Sequence, residues 1–364
     1  MRSTTLAAEL ARRGATFAAP GADAGADAAS TPARVLHFGD AAREAEQAFA
    51  RGAVRDQSAR ARLLIRGKDR VEFVQRMCTN DARNVGPDSG VAAVLTNAKG
   101  RIVDVVRIVA RGDDLVLLGS DGAAARLRDW LSKFIVMEEL SIDDAAGELA
   151  SLLAFGPHAE AAVASVVGVQ LSKKAGGFAV ATGTFDGATV TVAGAGEAPF
   201  HGLELLVPSD RAGALFSKLA DAGLAPIGEA AWNQVRIEAG IPLAGRELTE
   251  NVNPLEASLI AAVSFTKGCY IGQEVVARLN SYSKVQRQLV GVKFPASVDP
   301  AAVNEIFWDL LRVGNATSAV RSPRLDATVA LAFIKSDYTK PGTPVYTVRA
   351  GERFEGTLCE VPFR

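Results

Sequence analysis

Hydrophobic positions along the chain change period several times. Thr5 to Arg13 reads as a short helix, and the Ala/Gly/Asp-rich stretch Gly21 to Thr31 reads as a linker. Leu63–Arg66 is a short apolar strand. Asp69 and Glu72 then form a D-x-x-E capping pattern, and Val71, Val74 and Met77 follow at helical spacing to about Cys78. Val91–Thr96 and Arg101–Ala110 read as strands joined by the turn Asn97-Ala98-Lys99-Gly100, with Leu115–Leu118 as a third. Leu127, Trp130, Leu131 and Phe134 mark one helix face. Residues 141–207 mix strands and Gly-rich turns with a helix near 157–167. Ser209 is placed to cap a helix carrying Leu215, Phe216 and Leu219, which Gly223 stops. Trp232, Val235 and Ala239 mark another helix, stopped by Gly240.

From about Val285 the pattern becomes short strands with turns, at 285–294, 327–334, 343–349 and 353–361, which predicts a small β-barrel or sandwich. Interspersed strands and helices before it predict α+β layers. The expected organisation is an N-terminal segment 1–33, a mixed region 34–284 and a barrel 285–364. The Gly194-x-Gly196 pair lacks a third glycine in register and precedes no helix, so it is a turn and not a dinucleotide loop.

Composition narrows the function classes. In 364 residues, 48% hydrophobic and 22% charged, a full core can form, and the length suggests about two or three domains. Forty basic and 41 acidic residues leave a formal charge of −1, so no global field recruits nucleic acid or an anionic membrane. Three cysteines and three histidines are scattered without CxxC or HxxxH, which argues against a disulfide framework and a structural zinc site. No apolar run reaches the ~20 residues needed to span a bilayer. Residues 1–33 are rich in Ala, Arg, Ser and Thr like a transit peptide, but Glu9, Asp23 and Asp27 argue against one. The expected setting is reduced and cytoplasmic.

The octet Lys267-Gly268-Cys269-Tyr270-Ile271-Gly272-Gln273-Glu274 is the most unusual segment. Gly268 and Gly272 permit unusual backbone angles or close approach. With a helix beginning near Gly272, the Cys269 thiol would lie near a helix N-terminus and close to Lys267, features that favour a thiolate. The alternative for Cys269 is a small buried residue in a tight turn. Cys78 and Cys359 are read as structural.

KGCYIGQE closely resembles the signature of the YgfZ-type folate-binding proteins, of the superfamily of the glycine-cleavage aminomethyltransferase. Residues 57–85, 97–109 and 236–259 resemble, in order, the superfamily's strand–helix–TND segment, its next hairpin and its "R-x-E-x-G-x-P" stretch. The resemblance implies two mixed α/β subdomains around a central pocket for tetrahydrofolate, followed by a separate β-barrel. Folate asks for a carboxylate at the pterin edge and cations for its glutamate tail.

Asp104 shares a strand face with Ile102, Val106 and Ile108, and the resemblance puts it near the transferase's catalytic aspartate. Its alternative is a structural bond to an arginine or backbone group. Glu204, in HGLELLVP, resembles the pterin-binding glutamate, with an exposed strand glutamate as the alternative. Arg236 borders a helical apolar stripe, where it can reach a folate carboxylate or pair with Glu238 or Glu229. Asn80 and Asp81 in the TND turn are pocket candidates, and Lys267 and Tyr270 of the octet complete the folate-binding set. Within the YgfZ-type branch the resemblance implies a folate-dependent factor for assembly or repair of iron–sulfur clusters in other proteins, acting through Cys269. With no multi-cysteine ligand set, the chain holds no stable cluster alone. The second reading is a folate-dependent aminomethyltransferase or N-demethylating enzyme, which does not need the thiol.

Overall fold

The structure is a computed structural model that describes residues 4–18, 33–172, 177–195, 201–281 and 285–364. The expected linker at 21–31 and Gly196 of the Gly-x-Gly pair lie outside the described residues. The chain divides into two compact units, each discontinuous in sequence. One comprises residues 1–95, 104–231 and 266–270; the other comprises 96–103, 232–265 and 271–364.

The first unit is built on a sheet of eleven strands among the described residues. From one edge the order is Ala225–Pro226, Ala53–Asp56, Leu149–Phe155, Gly202–Pro208, Ala188–Ala195 and Phe178–Phe185. It continues through Ser89–Thr96, Ile102–Arg111, Asp114–Asp121, Arg60–Arg66 and Ser141–Asp144. The halves join through Phe178↔Gly90 and Ala179↔Ser89. Gly90 is required there, since a Cβ would sit 2.2 Å from the Phe178 ring. Each half therefore forms a mixed subdomain, as the interspersed pattern predicts.

In the first half, helices Thr4–Arg12, Ala159–Val167 and Ala212–Asp221 contribute Leu6, Leu10, Val163, Leu215 and Phe216 to one core with Leu152, Leu203, Leu205 and Val207. Burying side chains of this kind contributes roughly 1.5–3 kcal/mol each. Every residue of Leu149–Phe155 is buried, so this strand reads as a continuous apolar run and not as an alternation.

Two capping expectations fail: Asp69 spends its carboxylate on another backbone amide, and the Ser209 hydroxyl is buried without a partner among the described residues. Asp69 makes no cap bond, and its Oδ2 instead accepts from the Glu139 amide at 2.8 Å. Glu72 pairs with Arg83. The helix after Ser209 begins at Ala212, and its cap position, Arg211, makes no side-chain cap bond. The Ser209 amide is held by the Glu148 carbonyl.

In the second unit six strands close into a barrel, in the order Arg287–Pro295, Ala327–Lys335, Leu311–Ser322, Glu305–Trp308, Pro344–Arg349, Glu352–Cys359. Val292, Phe294, Ile306, Val313, Ile334, Val345 and Leu358 fill it. Hydropathy alone misses Glu305–Trp308 and Leu311–Ser322. The latter carries a glycine, a bulge between Ala316 and Ser318, and only two fully buried positions before its end, so no period of two emerges.

Candidate functional site

The alternation expected along 101–109 is observed: Ile102, Asp104, Val106 and Ile108 are buried, and Val103, Val105 and Arg107 are less so. Asp104 is 3% exposed. Its Oδ1 accepts from the Ser120 hydroxyl at 2.6 Å, and its Oδ2 from Arg126 Nη2 at 2.8 Å. Ser120 comes from the neighbouring strand, and Arg126 from the helix Ala124–Ser132. Burial pushes the Asp104 carboxyl up, against the opposing pull of Ser120 and of Arg126, whose side chain is nearly half exposed. An ionised carboxyl offers about four acceptor sites. Ser120 and Arg126 take two, and the Val105 amide also bonds the group, which leaves about one.

Glu204 is fully buried, not an exposed strand residue. Its two oxygens accept from Arg60 Nη1 at 2.9 Å each, from Arg107 Nη1 at 2.5 Å and from the Ser151 hydroxyl at 2.9 Å. Burial alone would raise its pKa. The Arg60 and Arg107 charges, with Ser151, outweigh that and hold the group below the usual carboxylate range. Arg107 leaves its strand opposite Asp104, lies 4.1 Å over the Phe178 ring and donates to the Gly194 carbonyl. Burial lowers its pKa to about 10. Four bonds from three donor groups saturate the Glu204 carboxylate, so it holds no vacancy for a pterin edge. Asp104 and Glu204 keep separate partner sets and do not form a carboxylate pair.

Arg236 is paired, but with neither glutamate that its sequence neighbourhood suggests. It is 1% exposed and bonds Glu247 at 3.1 Å, Ser318 at 2.8 Å and Asn233 at 3.0 and 2.8 Å. Glu229 pairs with Arg55, and Glu238 with Arg324. This guanidinium is committed within its own unit.

The octet splits by role. Lys267 is buried, and its ammonium donates to the carbonyls of Gln75, Cys78 and Asn80 at 2.6, 2.7 and 2.8 Å. Three bonds match the donors of an ammonium, so this lysine staples the end of the helix Arg70–Met77 to the TND turn. The thiol its charge acts on is that of Cys78, which is sealed and pushed up by burial. The expected help of Lys267 to a Cys269 thiolate thus gives way to a structural cradle.

Asn80 supports the same turn, donating from Nδ2 to the Ala92 carbonyl and accepting the Asp81 amide. Tyr270 is buried, its ring 5.4 Å from the Lys267 ammonium, and burial pushes its hydroxyl up to about 12. Cys269 is exposed, which removes the buried-turn alternative for that thiol. Gly272 has φ +82°, and a Cβ there would lie 2.5 Å from the Asn97 carbonyl, so the helix Gln273–Ser281 starts directly on the Asn97–Gly100 turn. Gly268 has no such constraint.

Arg60, Arg107, Ser151, Ser120 and Arg126 escape a sequence reading. The one signal for Arg107 is a charge between Val106 and Ile108 in an apolar strand. Among the described residues no three His, Cys, Asp or Glu side chains gather as a metal site, and no helix is long and apolar enough to cross a membrane.

The GCVT N-terminal domain model matches residues 14–267, and the glycine cleavage T-protein C-terminal barrel domain model matches 287–364. The chain belongs to the glycine cleavage T-protein family. Among curated relatives of this family, the aminomethyltransferase of Chlorobaculum tepidum is 29% identical over 317 residues, covering 85% of this chain and 86% of the relative. That of Geobacillus kaustophilus is 29% identical over 336 residues, covering 90% and 91%. A putative chloroplastic transferase of Arabidopsis thaliana is 28% identical over 323 residues, covering 88% and 73%. The crystal structure of aminomethyltransferase T from the glycine cleavage system of Bartonella henselae shares the fold, with a TM-score of 0.84 at 24% identity over 99% of this chain and 97% of that one.

Proposed function

We propose that the chain binds a reduced folate and acts in one-carbon transfer, with Asp104 as the carboxylate that meets the ligand. The observation that carries this is the state of Asp104: a buried carboxyl with raised proton affinity, spare acceptor capacity and a half-exposed arginine as its counter-ion. A group of this kind holds a proton more readily than a solvated aspartate. Membership of the family and the names of the relatives support transfer of an aminomethyl carbon, or a related N-demethylation. Bound tetrahydrofolate would supply the nitrogens that accept the carbon. Asp104 would hold the proton at Oδ2, Arg126 and Ser120 would orient it, and Glu204 and Arg236 would act as supports within their units.

The test is formation of methylene-tetrahydrofolate from an aminomethyl-lipoyl protein or an N-methyl amine. Asp104→Asn is expected to lower turnover by about 10²-fold or more while folate binding survives. A protein that neither binds reduced folate nor forms the product from either donor would end this reading.

A second reading, assistance to iron–sulfur cluster assembly or repair in other proteins, is favoured by one observation. Cys269 stands exposed in KGCYIGQE, beside a buried tyrosine and a structurally committed lysine. A soft, accessible sulfur suits transient contact with iron, sulfur or a partner thiol, and a reducing cytoplasm suits three unbridged cysteines. The resemblance of the octet puts this reading first, whereas the curated relatives put transfer first. Cys269→Ala separates them: cluster-enzyme activity in the host falls under the assembly reading, and one-carbon transfer is untouched under the other.

A further inference from the structure

We propose that the barrel unit carries a binding site of its own, a cationic groove for a small multivalent anion bearing carboxylate or phosphate groups. The groove encloses about 670 Å³, within the size range of small-molecule sites. Arg246, Arg287, Arg312 and Lys335 line it, Asn315 and Phe333 contribute to its walls, and no acidic residue is among the lining side chains.

Two of the cations are fixed. Arg287 donates to the Asn251 carbonyl at 2.8 Å and lies 4.9 Å over the Phe333 ring. Arg312 is forked on Asn315 Oδ1 at 3.1 and 2.7 Å, with Glu305 at 2.8 Å. Their planar guanidinium groups are thus preorganised for anionic oxygens. The other two, Arg246 and Lys335, are exposed, and their side chains have no hydrogen bond or ion pair among the described residues.

The charge is only partly balanced. Glu305 serves Arg312, but Glu256 is shared between Arg287 at 3.4 Å and Arg101 at 3.3 Å, so one carboxylate serves two guanidinium groups. A second feature points the same way. Strand register places Arg287 directly opposite Lys335, a like-charge pair on neighbouring strands. Such pairs are destabilising by themselves, and an anion bridging the two would relieve the repulsion. The site lies wholly within the barrel unit and does not depend on the folate reading.

The test is calorimetric titration of the full chain with tripolyphosphate and, separately, with tri-γ-glutamate, at low and raised salt. Saturable binding of at least one probe that weakens with salt is expected. The probe that binds more tightly identifies phosphate or carboxylate as the natural chemistry. Arg246→Ala combined with Lys335→Ala removes two side chains without internal partners, so melting should be unchanged while affinity falls about tenfold or more. Arg312→Gln, from another strand, should weaken binding as well. If neither probe binds, or if all variants bind as tightly as the parent chain, the groove is only a solvated surface and the proposal is overturned.

Discussion

Asp104 and Glu204 are carboxylates on strands of one sheet, each almost sealed from water, and their proton affinities move in opposite directions. Desolvation pushes both up. At Glu204 two arginines with little exposure, together with a serine, reverse the push. At Asp104 a single arginine, nearly half in solvent, does not. A cation screened by water returns less Coulomb energy than one that shares the low-dielectric site. The number and burial of the cations, not the burial of the acid, separate a carboxylate held ionised from one whose proton affinity is raised.

The strongest way to break this contrast is Glu204→Ala. It strands Arg60 and Arg107 with no counter-ion, and a loss of about 3–5 kcal/mol is expected from chemical denaturation. A loss below about 1 kcal/mol would mean that the clamp is not one. Lys267 sharpens the comparison as a buried cation held by three backbone carbonyls, with burial lowering its pKa. Lys267→Met leaves three carbonyls without their donor and should cost about 2–4 kcal/mol, read as a drop in melting temperature.

Acid titration tests the opposite signs directly. For Asp104 the folded pKa lies above the unfolded one, so its contribution is full below about pH 4 and is lost as pH rises through the folded value. Asp104→Asn should therefore gain stability relative to the parent as pH rises from about 4, read from denaturation at a series of pH values. For Glu204 the folded pKa lies below the unfolded one. Its contribution is present above about pH 4 and is lost as pH falls through the folded value, so the deficit of Glu204→Gln should shrink in acid. Parallel stability–pH curves for the two variants would contradict the comparison. The smallest effect is expected at Cys269, where Ala should change stability by less than about 0.5 kcal/mol. In the parent chain a thiol reagent should label Cys269 rapidly, and Cys78 only when the protein opens.

Part of this was legible in the chain. A period of two along 101–109 placed Asp104 among buried neighbours, and apolar spacing located the helices near 157–167 and 215–219. The two glycines of the octet could not be told apart until the Asn97 carbonyl was seen against Gly272. Lys267 read as an activator of its neighbour in sequence, but its ammonium reaches 187 to 192 residues away, to the carbonyls of 75, 78 and 80.

Local pattern thus located many of the apolar residues that leave water, because their burial follows the period of a strand or helix, and these periods are written in adjacent positions. It could not settle which charges meet. Arg60 lies 144 residues from Glu204 and Arg107 lies 97 away, and Arg236 passes over Glu229 and Glu238 for Glu247 and Ser318. Those pairings depend on strand order and register, which come from the packing of the whole sheet or barrel and leave no mark in any short stretch of chain.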